Sequence, residues 1–432
     1  MEITPTVLLI NVAVPTNEKV GDYVQSNSSK ENCLEQSARR RYMCSHSDLT
    51  KVLAGLQAVG GAVSRPVDEL ILENNYLPSL PGGAFSSLRV SRLMLRDNGL
   101  ERVASSWLAG LEDSLLELFV VEPKLRSLPV DCLEQLRGLE AITIQGGAMK
   151  RIPRLSGLRR LRYVQIKSPS LVELSPHGFK SLPDLEQLHV VHSPHLTRLE
   201  AGLFQDMNRL RLVNISHCGL TWLHPRAMAR LPVLTELALR GNRLMDAGMV
   251  SRSVRDLPAL STLRLDDNLI ERLGEASFVD LPALREVHIT GNRILDIHRG
   301  AFHRYRGDRC SQKQRAGLDL SYNDLQRLDA RLLANLPSLR RLDVSGNVLS
   351  MVDPATFLPT PALEHVNLSG NALTSFHPAT FRHLLNLYEL DLGWNRMREI
   401  VPGLPRGIEY LHMARNQVRD RVPSHGSQPG ER

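Results

Sequence analysis

The chain has 432 residues, 42% hydrophobic and 23% charged, which excludes a disordered polypeptide and fits either two or three ordinary domains or one long repeat array. A net charge of +7 and a pI of about 9.3 favour acidic partners such as sulfated glycans, nucleic acid or anionic surfaces without selecting one, and a solvated Arg-rich surface explains them as well. No stretch approaches the ~18 consecutive apolar residues of a membrane span.

Residues 1–30 begin "MEITPTVLLINVAVPTN". The apolar patch from Val7 to Val14 follows Glu2 rather than a basic start and is broken by Asn11. It makes a poor secretory leader, and the segment is expected to be poorly ordered or a degenerate leader. Residues 31–62 contain Leu49, Val52, Leu53 and Leu56 at helical spacing. Ser47 stands in front of them as an expected N-cap.

From 63 to 421 one pattern recurs fifteen times, first at Val67 and last at Ile408. It reads apolar, two variable, apolar, one variable, apolar, two variable, Asn, one variable, apolar, and most copies start 22 to 26 residues apart. This is the leucine-rich repeat. The apolar-x-apolar triplet, for example Leu342-Asp343-Val344, reads as a short strand with alternate residues facing inward. One coil cannot bury that face alone, so coils stack into a continuous core. Fifteen strands at the ~4.8 Å sheet spacing predict a sheet roughly 70 Å long. In "LEHVNLSGNALTSFHPATFRHLLN" the later Phe376, Phe381 and Leu384 are expected to line the convex half.

The Asn ends each strand, because its amide can bond backbone groups of its own and adjacent coils at a buried corner. Asn75, Asn98, Asn242, Asn268, Asn292, Asn323, Asn347, Asn371, Asn395 and Asn416 form this expected ladder. Pro123, Gly147, Pro169 and Ser193 replace it in four successive copies, and Cys218 follows. Residues 113–200 are therefore expected to turn differently, as a distinct surface or a looser one. Cys218 reads as a ladder substitute, since a buried thiol can donate weakly.

The insertion "HRYRGDRCSQKQRAG" stretches one spacing to 31. It holds Cys310, an exposed thiol that is idle or pairs between chains, and Arg306-Gly307-Asp308, an integrin-type tripeptide that three residues match easily by chance. Cys132 and Cys218 sit several coils apart, too far to pair. Residues 422–432 read as a disordered polar tail. With no closing cysteines, the last coil is expected to expose an apolar edge, as in a truncated chain.

The sequence contains no Gly-rich phosphate loop with Lys, no Gly-x-Ser-x-Gly and no His-Glu-x-x-His, so no catalytic residue, metal or cofactor is expected. His189, His288 and His412 share the central outward strand position but lie coils apart, too far to share a metal. Asp319, Asp343 and Asp391 fall in the same column and read as a charged row on a binding face rather than an acid/base pair. Low aromatic content speaks against nucleic acid. The ligand-binding candidates are the outward residues Arg92, Arg96, Arg162, Lys167, His189, Arg264, His288, Asp343 and Trp394. Trp394 is the anchor candidate, and its packing against a neighbouring turn is the alternative. Asn27, Asn214 and Asn367 begin glycosylation sequons. Glycans at Asn214 and Asn367 would stand on the concave face and push binding towards the 67–200 half.

The repeats resemble the extracellular leucine-rich-repeat group of chaoptin, slit and the Toll-like ectodomains. "VDELILENNYLPSLPGGAFSSL", "LMLRDNGLERV", "LFVVEPKLRSLP", "AITIQGG", "LTRLEAGLF" and "FVDLPAL" look like the Artichoke-type arthropod matrix proteins over residues 44–300, and "IVPGLPRGIEYL" still fits beyond. Those proteins are longer and carry a C-terminal cysteine cap, which is not found here. The resemblance implies that Cys33 and Cys44 are the second half of an N-terminal cysteine cap and form a disulfide, in an oxidising compartment. The combined expectation is an α/β leucine-rich-repeat solenoid. This horseshoe has one curved parallel sheet on the concave face and irregular or short helical turns on the convex face. It is expected to be an extracellular, non-enzymatic protein of matrix or adhesion type, acting in tissue or sensory-organ morphogenesis. Its partners are proteins and acidic glycans. The alternatives are a secreted innate-immune type recognition ectodomain and an intracellular scaffold.

Overall fold

The computed structural model describes residues 33–36, 40–62 and 65–418, apart from 255, 276, 279–280, 282 and 303–315. Asn27, Cys310, the Arg306-Gly307-Asp308 tripeptide, the leader region and the tail lie outside the described residues.

The chain enters through an antiparallel pair, β1 (Cys33–Gln36) and β2 (Arg41–Ser45). Then comes α1 (Leu49–Ala62), whose buried Val52 and Leu56 close over the first coil. The cap of α1 differs from expectation. Asp48, not Ser47, accepts the free N–H of Lys51 at 2.9 Å. Ser47 is buried instead, and its N–H donates to Asn75 Oδ1 at 3.0 Å. The sequence places Asp48 one position and Ser47 two positions before the helix, and Ser47 is drawn instead to Asn75 of the next coil.

Each repeat then contributes one parallel strand. These are β3 (Val67–Glu73), β4 (Val90–Arg96), β5 (Glu117–Glu122), β6 (Ala141–Gly146), β7 (Tyr163–Lys167), β8 (Gln187–Val191) and β9 (Leu212–Ser216). They continue as β10 (Glu236–Ala238), β11 (Thr262–Arg264), β12 (Glu286–His288), β13 (Ala316–Asp319) and β14 (Leu339–Asp343). The last are β15 (His365–Asn367), β16 (Glu389–Asp391) and β17 (Tyr410–His412). Together with β1 and β2 they form one 17-stranded sheet, in which each repeat strand lies between its sequence neighbours. The horseshoe with its curved parallel sheet is as expected.

From β13 to β16 the strand stops at its central outward residue. The Asx side chain there accepts the N–H two residues on, from Asp319 to Ser321 at 3.0 Å, Asp343 to Ser345 at 2.9 Å, Asn367 to Ser369 at 3.1 Å and Asp391 to Gly393 at 2.8 Å. That bond replaces the next ladder bond.

Asn side chains link successive coils at the strand ends. Asn347 Nδ2 donates to the carbonyls of Leu320 and Val344 at 3.0 Å each, and its Oδ1 accepts the Leu325 N–H at 3.0 Å. Asn242, Asn268, Asn292, Asn323, Asn371, Asn395 and Asn416 repeat this geometry. Asn75 and Asn98 are joined side chain to side chain at 2.8 Å.

Where Pro123 displaces the ladder residue, Glu122 takes over from one position earlier. Its carboxylate is fully buried and accepts the N–H of Asn98 and of Leu100, the latter at 3.2 Å, where a ladder Asn would bond. Burial pushes its pKa up against those bonds. Cys218 also substitutes. Its Sγ lies 3.5 Å from the Val190 carbonyl, which a ladder amide would meet, and burial raises the thiol to about 11.

The residue before the ladder position is left-handed at Asn74, Asp97, His192, His217, Asp267, Tyr322, Trp394 and Arg415, but not at Glu122, Gly146 or Ser168. The backbone departure is thus narrower than 113–200. Gly147 marks its tightest point, since a Cβ there would stand 1.9 Å from the Pro123 carbonyl oxygen.

The convex half is filled by edge-on or stacked rings from neighbouring coils, Phe85 with Trp107, Phe179 with Phe204, Phe278 with Phe302 and Phe357 with Phe381. Phe376, Phe381 and Leu384 are buried there as expected. Short two-residue parallel ribbons run along parts of the convex flank, for example Ser79–Leu80 with Arg102–Val103. α2 (Ala247–Val254) occupies the coil from Leu234 to Leu260, which has room for it with 26 residues.

Candidate functional site

The concave sheet puts one outward residue of every strand into a single register column. It starts apolar, with Met43, Ile71, Met94 and Phe119 on β2 to β5. It continues through Thr143, Gln165, His189, Asn214 and Ala238. It ends charged or strongly polar, with Arg264, His288, Asp319, Asp343, Asn367, Asp391 and His412.

Ion pairs border the apolar stretch on both sides. Two residues earlier on each strand, Arg41, Glu69, Arg92 and Glu117 alternate in sign across β2 to β5. Arg41 pairs with the buried Glu69. Arg92 reaches Glu69 at 3.4 Å and Glu117 at 2.7 Å, and the Glu117 hydrogen bond raises its pKa. Two residues later, Arg96 lies 3.8 Å from Glu73 and 3.6 Å from Asp97. Candidate cations Arg92 and Arg96 are therefore already neutralised, and between the charged rows lies an apolar stripe that is half-buried at Met43, Ile71 and Met94 and buried at Phe119.

The other candidates fall into separate groups. Arg162, half outside the sheet, pairs with Glu186 at 2.9 Å. His189 lies against Tyr163, with ring centres 5.4 Å apart, and burial lowers its pKa. Lys167 follows on β7 and helps lower the pKa of His192, after burial, while His192 stacks on His217 at 5.1 Å. Arg264 meets Glu236 at 3.2 Å. His288 stands 3.7 Å from both Glu286 and Asp319. The Asp319 bond raises the His288 pKa. Burial works to raise the Asp319 pKa, but bonds from His288 and Ser321 outweigh it and hold that carboxyl at about 2.

Asp319 and Asp343 do face each other across β13 and β14. Asp343 accepts the Ser345 N–H and Asn367 Nδ2, each at 2.9 Å. These carboxylates finish strands, which is structural use. Trp394 is 66% exposed, with the Arg415 guanidinium 5.2 Å above its ring. It thus packs against the neighbouring turn and still presents a face to solvent.

Asn214 and Asn367 both stand in the central column, each hydrogen-bonded within its neighbourhood. Among the described residues no three His, Cys, Asp or Glu side chains are placed to hold a metal ion, and no helix is long and apolar enough to cross a membrane.

Two features escaped the sequence reading. One is the apolar stripe. Its signal was present in the variable positions Ile71, Met94 and Phe119, which are apolar where the repeat does not require it. The other is the ladder role of Glu122, whose signal is the Glu immediately before Pro in "VVEP".

The leucine rich repeat family matches residues 185–244, 252–306, 347–397 and 361–418. The chain is a leucine-rich-repeat protein. Podocan-like protein 1 of Homo sapiens is 28% identical over 273 residues, covering 62% of this chain and 46% of that protein. The chain spans about half the length, or less, of the curated relatives it matches. Among solved structures, the TLR13-ssRNA13 complex aligns with a TM-score of 0.64 at 20% identity, covering 88% of this chain and 52% of that one. The Toll–Spatzle complex of Drosophila, in its glycosylated form, aligns with a TM-score of 0.63 at 18% identity, covering 91% and 64%. At those identities the likeness shows the leucine-rich-repeat fold alone.

Proposed function

We propose that this chain is an extracellular binding solenoid that holds other proteins on its concave face, with a matrix or adhesion role of the Artichoke type in tissue or sensory-organ morphogenesis. The observation that carries the reading is the stripe of Met43, Ile71, Met94 and Phe119 between two rows of internally paired charges. An apolar strip on an open sheet, rimmed by groups that need no further counter-ion, suits a protein surface better than an anionic polymer. Kinship with Podocan-like protein 1 supports the extracellular setting. The register that sets Cys33 opposite Cys44 supports a disulfide there. Glycans on Asn214 and Asn367 would leave the stripe clear and confine ligands to the N-terminal half. A second reading is a secreted recognition ectodomain, which the same concave surface would serve.

The test is a binding screen of the purified protein against matrix proteins and microbial glycans, followed by Ile71→Glu and Met94→Glu. A charge in the stripe is expected to weaken a protein ligand about thirtyfold, the effect of losing one ~2 kcal/mol contact. Unchanged binding by both variants overturns the concave-face reading. A thiol count under denaturing, non-reducing conditions checks the compartment, since reactive Cys33 and Cys44 would favour an intracellular scaffold.

A further inference from the structure

The coils that lack a ladder Asn enclose a cleft on the convex flank, away from the sheet. Its cause is a shortage of residues. The coil from Leu139 to Leu161 has 22 residues, against 24 in the coils before and after it. The rings that fill the convex half are also interrupted here, with Leu133 and Leu155 standing between Trp107 and Phe179. The flanking two-residue ribbons stop at Arg102–Val103 and resume at Arg198–Leu199. A coil too short to reach its neighbours' surface leaves a cleft of about 840 Å³ between them. That lies within the range of sites that take a small ligand or a few peptide side chains.

Leu128, Ile152 and Pro153 supply apolar lining, and Val130 stands 57% exposed at the lip. Arg126, Lys150, Arg151 and Arg154 also line the cleft, against one carboxylate, Glu173. Arg151 meets Glu173 at 2.7 Å. Arg126 and Arg154 are held by Glu101, Asp131 and Glu134, which stand outside the lining. These pairs are exposed, so each is worth little and can be exchanged for a ligand carboxylate. Lys150 makes no ion pair among the described residues.

We propose that this cleft is a second binding site, taking an acidic, extended peptide segment of a partner protein with an apolar side chain at its centre. The apolar side chain covers Leu128 and Ile152 while flanking carboxylates meet Lys150 and the arginines. The cationic rim selects the sign of the partner. The apolar floor favours a peptide over a sulfated glycan, which has nothing to bury there. The site faces away from the concave stripe, so the two can be occupied independently.

The experiment uses the full chain and a fluorescein-labelled peptide, Glu-Asp-Leu-Asp-Glu, read by fluorescence anisotropy. Control peptides carry Gly for Leu or Lys for the acids, and a heparin-type oligosaccharide is titrated in parallel. Saturable binding of the acidic Leu peptide is expected, weakened tenfold or more by K150E with R151E and similarly by Val130→Asp. Circular dichroism verifies that both variants fold. Ile71→Glu, in the concave stripe, leaves this binding unchanged, which keeps the two sites distinguishable. The proposal is overturned if both cleft variants bind as the parent does. Equal binding of the Gly peptide, or binding of the oligosaccharide alone, overturns it as well.

Discussion

At Asn347 one amide serves four backbone groups, the carbonyls of Leu320, Val344 and Ser345 and the N–H of Leu325, but they do not depend on it equally. The Leu320 carbonyl keeps a second donor in Asn323 Nδ2 at 3.0 Å, and the Val344 carbonyl keeps Asn371 Nδ2 at 3.0 Å. Among the described residues the Leu325 N–H has Asn347 Oδ1 as its acceptor and no second one. Asn347→Ala should therefore cost about 1–3 kcal/mol, the penalty of one buried orphan donor. Glu122→Ala removes the acceptor of three donors, the backbone N–H groups of Asn98 and Leu100 and the Asn98 side-chain amide, and should cost more than Asn347→Ala in urea unfolding. Equal or smaller loss would mean that Glu122 does not hold the ladder across the Pro123 break. The Asn rungs were legible because their spacing repeats. Glu122 was not, because it stands out of phase and acts only through a neighbouring coil.

Among the elements, β12 and β13 are joined by a titrating pair, His288 and Asp319. Asp319 falls from the ordinary 3.8 to about 2 in the fold, so its contribution is present above 3.8 and lost as pH falls towards 2. His288 is raised above the ordinary 6.5, so its contribution is complete below 6.5 and lost as pH rises through the higher folded value. The pair thus stabilises the sheet most between about pH 4 and 6.5. Urea midpoints measured from pH 2 to 8 should show that plateau in the parent, and Asp319→Asn should flatten both limbs. An unchanged profile would mean that the pair contributes nothing. Both residues are legible in the sequence as central outward positions of consecutive repeats, but their coupling is not, because it depends on how the two side chains lean towards each other across the sheet.

For the whole molecule, each coil touches only the coils beside it, so a local defect should stay local. Asn268→Ala, at the middle of the array, should speed amide hydrogen exchange in β10 to β12 while β3 to β5 keep their protection. Uniform loss of protection along the chain would show a single cooperative unit instead. The same one-dimensional design explains the two faces. The sheet side keeps its central column in register, with one shift at Ala316/Gly317 between β13 and β14, and offers a long surface. The convex side absorbs each change in coil length, with a helix where Leu234 to Leu260 is long and a cleft where Leu139 to Leu161 is short.

The repeat itself determined the solenoid, the parallel sheet, the ladder and the outward columns, because a period of apolar residues allows one stacking that buries them all. Only the tertiary structure decided which outward charges were already paired, which residue caps α1, how Glu122 replaces a missing amide and where a short coil opens a cleft. Each of those depends on a side chain from a different coil, and contact between coils is not written in the spacing of any one of them.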